Sequence, residues 1–232
     1  MGHVIDVARR DSDVVVGLDF AFSLPAWFLR ERGLRSVHEV WELVAAEGES
    51  WLTGCEPPFW GRPGKQKPDL YRHFRSTEQR LAPVGGLRPK SVFQIGGAGS
   101  VGTGSIRGMP WLSELRRAGL SIWPFDEPAL PLVVEIWPRL LTGPVVKSSA
   151  ERRRDYLAAL ARTHGIPEAL AAQAARSEDS FDAAVSALVM SQRWEEFAHL
   201  KRATDPQVLP EGEIWVPRRL PVEPRPGLRR AS

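Results

Sequence analysis

Two short apolar runs limit what this chain can fold into: VVVGLDFAF at residues 14–22 and LVVEIW at 132–137. Near-continuous β-branched stretches of this length read as strands buried on both faces. Around them the sequence carries helical punctuation. Pro25 opens a short helix over PAWFLRER, with Gly33 in the stop position. Ser36 and Glu39 make a capping box ahead of a helix expected to reach about Gly48. Pro110 and Gly119 bracket PWLSELRRA, and a box at Ser148 and Glu151 opens ERRRDYLAALARTHG. A short Ala-rich helix follows Pro167, and the longest amphipathic helix is expected from about Ser180. SVFQI at 91–95, LSIWPF at 120–125 and EIWV at 213–216 read as further strands, and GHVIDVARR as the end of a helix. Strands alternating with helices imply an α/β domain with parallel pairing.

At 232 residues the chain suits one domain over 1–216, with an irregular insertion at 50–89. Its single cysteine, Cys55, excludes an internal disulfide and a cysteine zinc cage, and suits a reducing, cytoplasmic setting. Cys55 itself reads as an inert packed thiol. No apolar run approaches the length of a membrane helix, and the first residues lack the apolar core of a secretory signal. The net charge of +3 and pI near 9.3 come from one place. Residues 217–232 hold five arginines against one glutamate, a local surplus larger than that of the whole chain. That Pro/Arg tail reads as disordered, so overall basicity alone does not mark a nucleic-acid binder.

Chemistry is indicated by acids placed where charge is costly. Asp19 interrupts the first apolar run and Glu135 the second, while Asp179 and Asp182 stand at the head of the C-terminal helix. A carboxylate in a buried strand must be paired, hydrogen-bonded, protonated or metal-bound. Parallel sheets gather ligands at the carboxyl ends of their strands. If Asp19, Glu135, Asp182 and Asp179 converge there, a divalent cation would neutralise them, and an all-oxygen ligand set suits Mg²⁺ or Mn²⁺. The alternatives are plain: Asp179 and Asp182 as helix caps, and Glu135 paired with an arginine such as Arg139.

Two further segments contribute. Residues 57–76 interleave Arg62, Lys65, Lys67, Arg72 and Arg75 with Phe59, Trp60, Tyr71 and Phe74, a composition suited to a phosphate backbone with stacked bases, or to a surface loop pinned by its aromatics. Gly97-Ala98-Gly99-Ser100-Val101-Gly102 fits the dinucleotide-binding spacing after an expected strand, with Asp126 as a later acid. The continuation from Thr103 to Pro110 reads as unable to propagate the helix such a site needs. Ser100, Ser105, Arg107 and the loop amides would still cradle a phosphate.

The succession VVVGLDFAFSLP, LVVEIWP, EDSFDAAVSALVMS and EGEIWVP resembles domain of unknown function family 429, predicted nucleases with a ribonuclease H-like fold. The matching steps are Asp19 with Leu24 and Pro25; Glu135 with Trp137 and Pro138; Phe181, Asp182 and Ala183; and Arg75 with Glu78. The resemblance spans about 14–217. It implies a mixed sheet flanked by helices and divalent-metal-dependent phosphodiester hydrolysis, with Asp19, Glu135 and Asp182 catalytic and Asp179 assisting. Arg62, Lys65, Lys67, Arg72, Arg75, Arg107 and Ser100 would position the nucleic acid. About thirteen residues precede the Asp19 strand, too few for the antiparallel meander that opens that fold. The chain therefore reads as truncated, misstarted or a shortened relative. Two other readings stand beside the nuclease: a noncatalytic nucleic-acid-binding or scaffold relative, and an oxidoreductase built on the glycine loop.

Overall fold

A computed structural model describes residues 2–69, 72–206 and 209–218. Its contacts separate into two compact units where the sequence suggested a single domain. The first comprises residues 1–83, 87–137 and 195–215; the second comprises 84–86, 138–194 and 216–232.

The first unit opens with helix α1 (Gly2–Arg10) and strand β1 (Val15–Leu18). The strand is shorter than the apolar run that encodes it, because the chain turns away at Asp19. Pro25 then leads into α2 (Ala26–Glu31), closed by Gly33 at φ 69°. Helix α3 (Val37–Gly54) carries the expected box: the Ser36 hydroxyl accepts from the Glu39 amide while the Glu39 carboxylate takes the Ser36 amide. It runs six residues beyond Gly48 because Val40, Trp41, Val44, Gly48 and Leu52 continue one buried stripe. At Gly48 a Cβ would lie 2.7 Å from Ile106 Cγ2, so the glycine sets how closely the facing helix approaches.

That facing helix is α5 (Gly102–Arg117), preceded by the single turn of α4 (Ser76–Arg80). The expectation that 103–110 could not be helical is corrected here. Pro110 lies inside α5 and lacks the N–H that would bond back to Ile106, yet Ile106, Met109, Leu112 and Leu115 are all buried. Burial against α3 outweighs the low propensity of the glycines and proline. Residues 91–95, expected as a strand, make only an isolated bridge between Trp60 and Gln94. Phe59 and Phe93 meet Phe28 in an aromatic cluster, with centroids 6.3 and 5.4 Å from it, which fixes the irregular segments without a sheet.

The described sheet has three strands in the order β1-β3-β2, with β2 (Ser121–Ile122) and β3 (Leu132–Glu135). Both pairings are parallel, so the chain is α/β as expected, but the expected mixed sheet is not seen among the described residues. Register places Leu18 against Glu135 and Ile122 against Val133. Beyond the end of β2, Ile214 makes a parallel bridge with Glu135, and the Trp215 amide donates to the Glu135 carbonyl at 2.8 Å. EIWV therefore reaches the sheet for one bridge rather than as a full strand.

The second unit is helical: α6 (Pro138–Thr142), α7 (Ala150–His164), α8 (Glu168–Ala174) and α9 (Glu178–Ser191). Its buried side chains include Leu140, Leu141, Leu157, Phe181, Val185, Val189 and Met190. Helix α7 starts one residue later than expected, with Ser149 rather than Ser148 accepting from the Arg152 amide. Helix α9 spans 14 residues, so the 18-residue α3 is the longer. Back in the first unit, the last short helix, α10 (Trp194–Ala198), carries Phe197, which meets Trp215 of the same unit at 4.6 Å between ring centroids. Among the described residues no helix is long and apolar enough to cross a membrane. Tyr71 and residues 219–232 of the tail lie outside the described residues.

Candidate functional site

The carboxyl end of β3 holds the densest group of buried charges in the described chain. Glu135 is 2% exposed and Arg75, delivered by the segment ahead of α4, is 1% exposed. Arg75 Nη1 donates to Glu135 Oε2 at 2.9 Å and Nη2 donates to Oε1, a bidentate pair. Glu135 Oε2 also accepts from the Phe22 amide at 2.9 Å, so both of its oxygens are engaged. Arg75 Nε donates to Glu78 Oε1 at 2.9 Å, Nη2 stands 2.9 Å from the same oxygen, and Nη1 reaches the Glu211 carbonyl at 3.0 Å. Four of the five guanidinium N–H groups are thus used in hydrogen bonds, and the Nη2–Glu78 contact adds an ion pair.

Two acids of this group, Glu78 and Glu211, were not singled out as site residues from the sequence. Glu78 also accepts from the Arg75 amide at 2.9 Å, closing a capping box on α4. The signal for it was the Arg-x-x-Glu step. Glu211 joins two helix starts: Oε1 accepts from the Ala26 amide at 2.7 Å, and Oε2 from the Ser76 amide at 2.6 Å. Burial opposes the charge on Arg75, but Glu135 and Glu78 overcome it and raise its pKa. Burial, with help from Glu135, pushes the Glu78 carboxyl above its usual range despite the opposing pull of Arg75. Arg75, expected to contact nucleic acid, is thus sealed inside the fold.

Asp19 follows β1 directly and is exposed rather than buried in the strand. Leu18 pairs with Glu135, so Asp19 stands one position beyond that pair, at the carboxyl edge of the sheet. Asp19, read from the sequence as a charge interrupting a buried strand, is therefore exposed.

The other two acids belong to the second unit. Asp179 is exposed in the first turn of α9. Asp182 forms an ion pair with Lys147, both side chains being 15% exposed. Burial raises the Asp182 carboxyl, and Lys147 and Arg139 act against the rise. Its Oδ1 and the Ser186 hydroxyl one turn further along have no hydrogen-bond partner among the described residues. Glu135 is paired with Arg75, and not with the Arg139 suggested by sequence proximity. Arg139 instead donates to the carbonyls of Gly143 and Val145 at 3.1 and 2.7 Å.

The basic residues divide by environment. Lys65 pairs with Glu56 at 2.6 Å, and Arg107 forms a fork with Glu49 at 2.7 and 3.0 Å. Arg62, Lys67 and Arg72 are exposed and form no ion pair among the described residues; Lys67 lies 5.7 Å from the Trp60 ring centroid. His73 is buried edge-on against Trp60, and burial with the nearby Lys67 lowers its pKa. Ser100 is half-buried in the glycine loop, its amide donating to the Gly97 carbonyl at 3.3 Å.

The structure alters both halves of the dinucleotide reading. The loop does end on a helix at Gly102, where a Cβ would lie 2.4 Å from the Val92 carbonyl oxygen and 2.6 Å from that of Gln94. The third glycine is therefore needed for close backbone approach. The preceding segment, however, is not a strand of the parallel sheet, so the strand–loop–helix unit that a dinucleotide requires is incomplete.

Among the described residues no group of three or more His, Cys, Asp or Glu side chains is arranged to hold a metal ion. Glu78, Glu135 and Glu211 are near one another, but Arg75 and backbone amides occupy their oxygens. No family model, curated protein or solved structure matches this chain.

Proposed function

We propose that this chain binds nucleic acid through the phosphate backbone, using exposed cations of the 57–75 segment, and that the buried acids at the end of β3 hold the fold. The observation that carries this reading is the contrast in pairing within the first unit. Arg75 neutralises the acids inside, while Arg62, Lys67 and Arg72 face solvent with no carboxylate partner among the described residues. Exposed cations without carboxylate partners suit a phosphate backbone, whereas Trp60 is buried in the core and serves to anchor the segment that carries them. In this reading the domain is a variant of the ribonuclease H-like type, its Asp19 and Glu135 strands adjacent and parallel.

A second reading, metal-dependent phosphodiester hydrolysis, is favoured by one observation: Asp19 is solvated at the carboxyl edge of a parallel sheet. Mg²⁺ or Mn²⁺ bound there would activate water for attack on phosphorus. Fluorescence anisotropy with a labelled single-stranded oligonucleotide separates the readings. Three phosphate contacts predict a loss of affinity of about 20-fold between about 50 and 200 mM salt. Replacing Arg62, Lys67 and Arg72 by alanine should remove most binding, and an unchanged affinity would refute the proposal. Cleavage that needs Mn²⁺ and disappears in Asp19→Asn would replace simple binding by hydrolysis.

A further inference from the structure

A cavity of about 460 Å³ in the first unit has features that the nucleic-acid reading does not use. It lies where the end of α2, the start of α3 and residues Arg202, Pro206, Leu209 and Pro210 meet, and Arg30, Arg35 and His38 are also among its lining residues. Among the described residues no carboxylate lines it. The three guanidiniums are exposed and form no ion pair or side-chain hydrogen bond among the described residues. Three cations left unpaired around one concavity repel one another, and a multivalent anion is the simplest group to reverse that repulsion.

Neighbouring groups define the anion further. Glu39, four residues after Arg35, is turned onto the amides of Arg35 and Ser36 at 2.5 and 3.3 Å, which cap α3. The helix start is thus already satisfied, and recognition falls to the guanidiniums. Arginine forks match phosphate oxygens in pairs, where a lysine would offer a point charge. The remaining wall is apolar, with Leu29, Leu34, Phe125 and Leu209. Burial and Arg116 lower the His38 pKa, which leaves an uncharged ring at neutral pH. A volume of this size falls in the range, roughly 300–1,000 Å³, of sites for small organic ligands.

We propose that this cavity binds a small organic phosphate, a nucleoside diphosphate in size and charge, with its phosphates on Arg30, Arg35 and Arg202 and its ring against the apolar wall. The claim concerns residues separate from Arg62, Lys67 and Arg72, and it stands whether or not the chain binds nucleic acid.

Isothermal titration of the full chain with ADP, adenosine and orthophosphate tests it. ADP should bind with a Kd of about 10–100 µM, and adenosine and orthophosphate at least about tenfold more weakly. The triple variant Arg30→Ala/Arg35→Ala/Arg202→Ala should lose at least about 100-fold in ADP affinity. Because all three side chains are exposed, its unfolding midpoint without ligand should match the parent, which circular dichroism would verify. The proposal fails if ADP gives no binding heat, if adenosine binds as tightly as ADP, or if the triple variant keeps the parent affinity. A variant with a lowered midpoint would be replaced by Arg202→Ala alone, for which a retained affinity also counts against the site.

Discussion

Arg75 makes four side-chain hydrogen bonds, to Glu135, Glu78 and the Glu211 carbonyl, and so converts a repulsive group of buried acids into a connected network. Arg75→Met should destabilise the protein by about 3–5 kcal/mol, because it leaves Glu135 buried without its counter-charge. Arg75→Lys should rescue little, since a lysine cannot supply the paired fork. Urea denaturation measures both, and a midpoint within error of the parent would contradict the role assigned to Arg75. The sequence made part of this legible. An acid inside LVVEIW required a partner, and the Arg-x-x-Glu step marked a local pair. What it concealed was distance: Arg75 and Glu135 are 60 residues apart, and no periodicity links them. Asp19 misled for a related reason, since an apolar run shows which residues suit a strand but not where the chain leaves it.

At the scale of the element, local punctuation was read well and tertiary compensation was not. The box at Ser36 and Glu39 and the stop at Gly33 involve groups within a few residues of each other, and both formed as written. Helix α5 defeats the same rules. Its three early glycines and Pro110 argue for a loop, yet its buried stripe on α3 makes the helix the better state. Gly102 shows what the glycines are for. Gly102→Ala should cost about 1–3 kcal/mol, despite improving helix propensity, because its methyl would meet the Val92 and Gln94 carbonyls. Gly104, with open space at its Cβ position, is the control: Gly104→Ala should be neutral or stabilising. Thermal melts should therefore show a lowered midpoint for Gly102→Ala and an unchanged or raised one for Gly104→Ala.

At the scale of the molecule, the apolar cluster built around Phe22, Trp41, Phe93 and Met109 contains no residue of 138–194. The helical unit relies on its own contacts, among them Phe181 with Tyr156 at 5.4 Å between centroids. Calorimetry should accordingly resolve two transitions, and Phe181→Ala should lower only one of them. A single transition shifted as a whole would show that the units unfold together. The first unit, meanwhile, is discontinuous along the chain: Glu211 caps α2 and α4, and Trp215 docks on the Glu135 carbonyl. During synthesis, then, α2, α4 and the sheet wait for a segment translated after residues 138–194. Until residue 215 clears the ribosome, Arg75 and its acids remain an open seam, and the nascent chain is exposed there to chaperones and proteases.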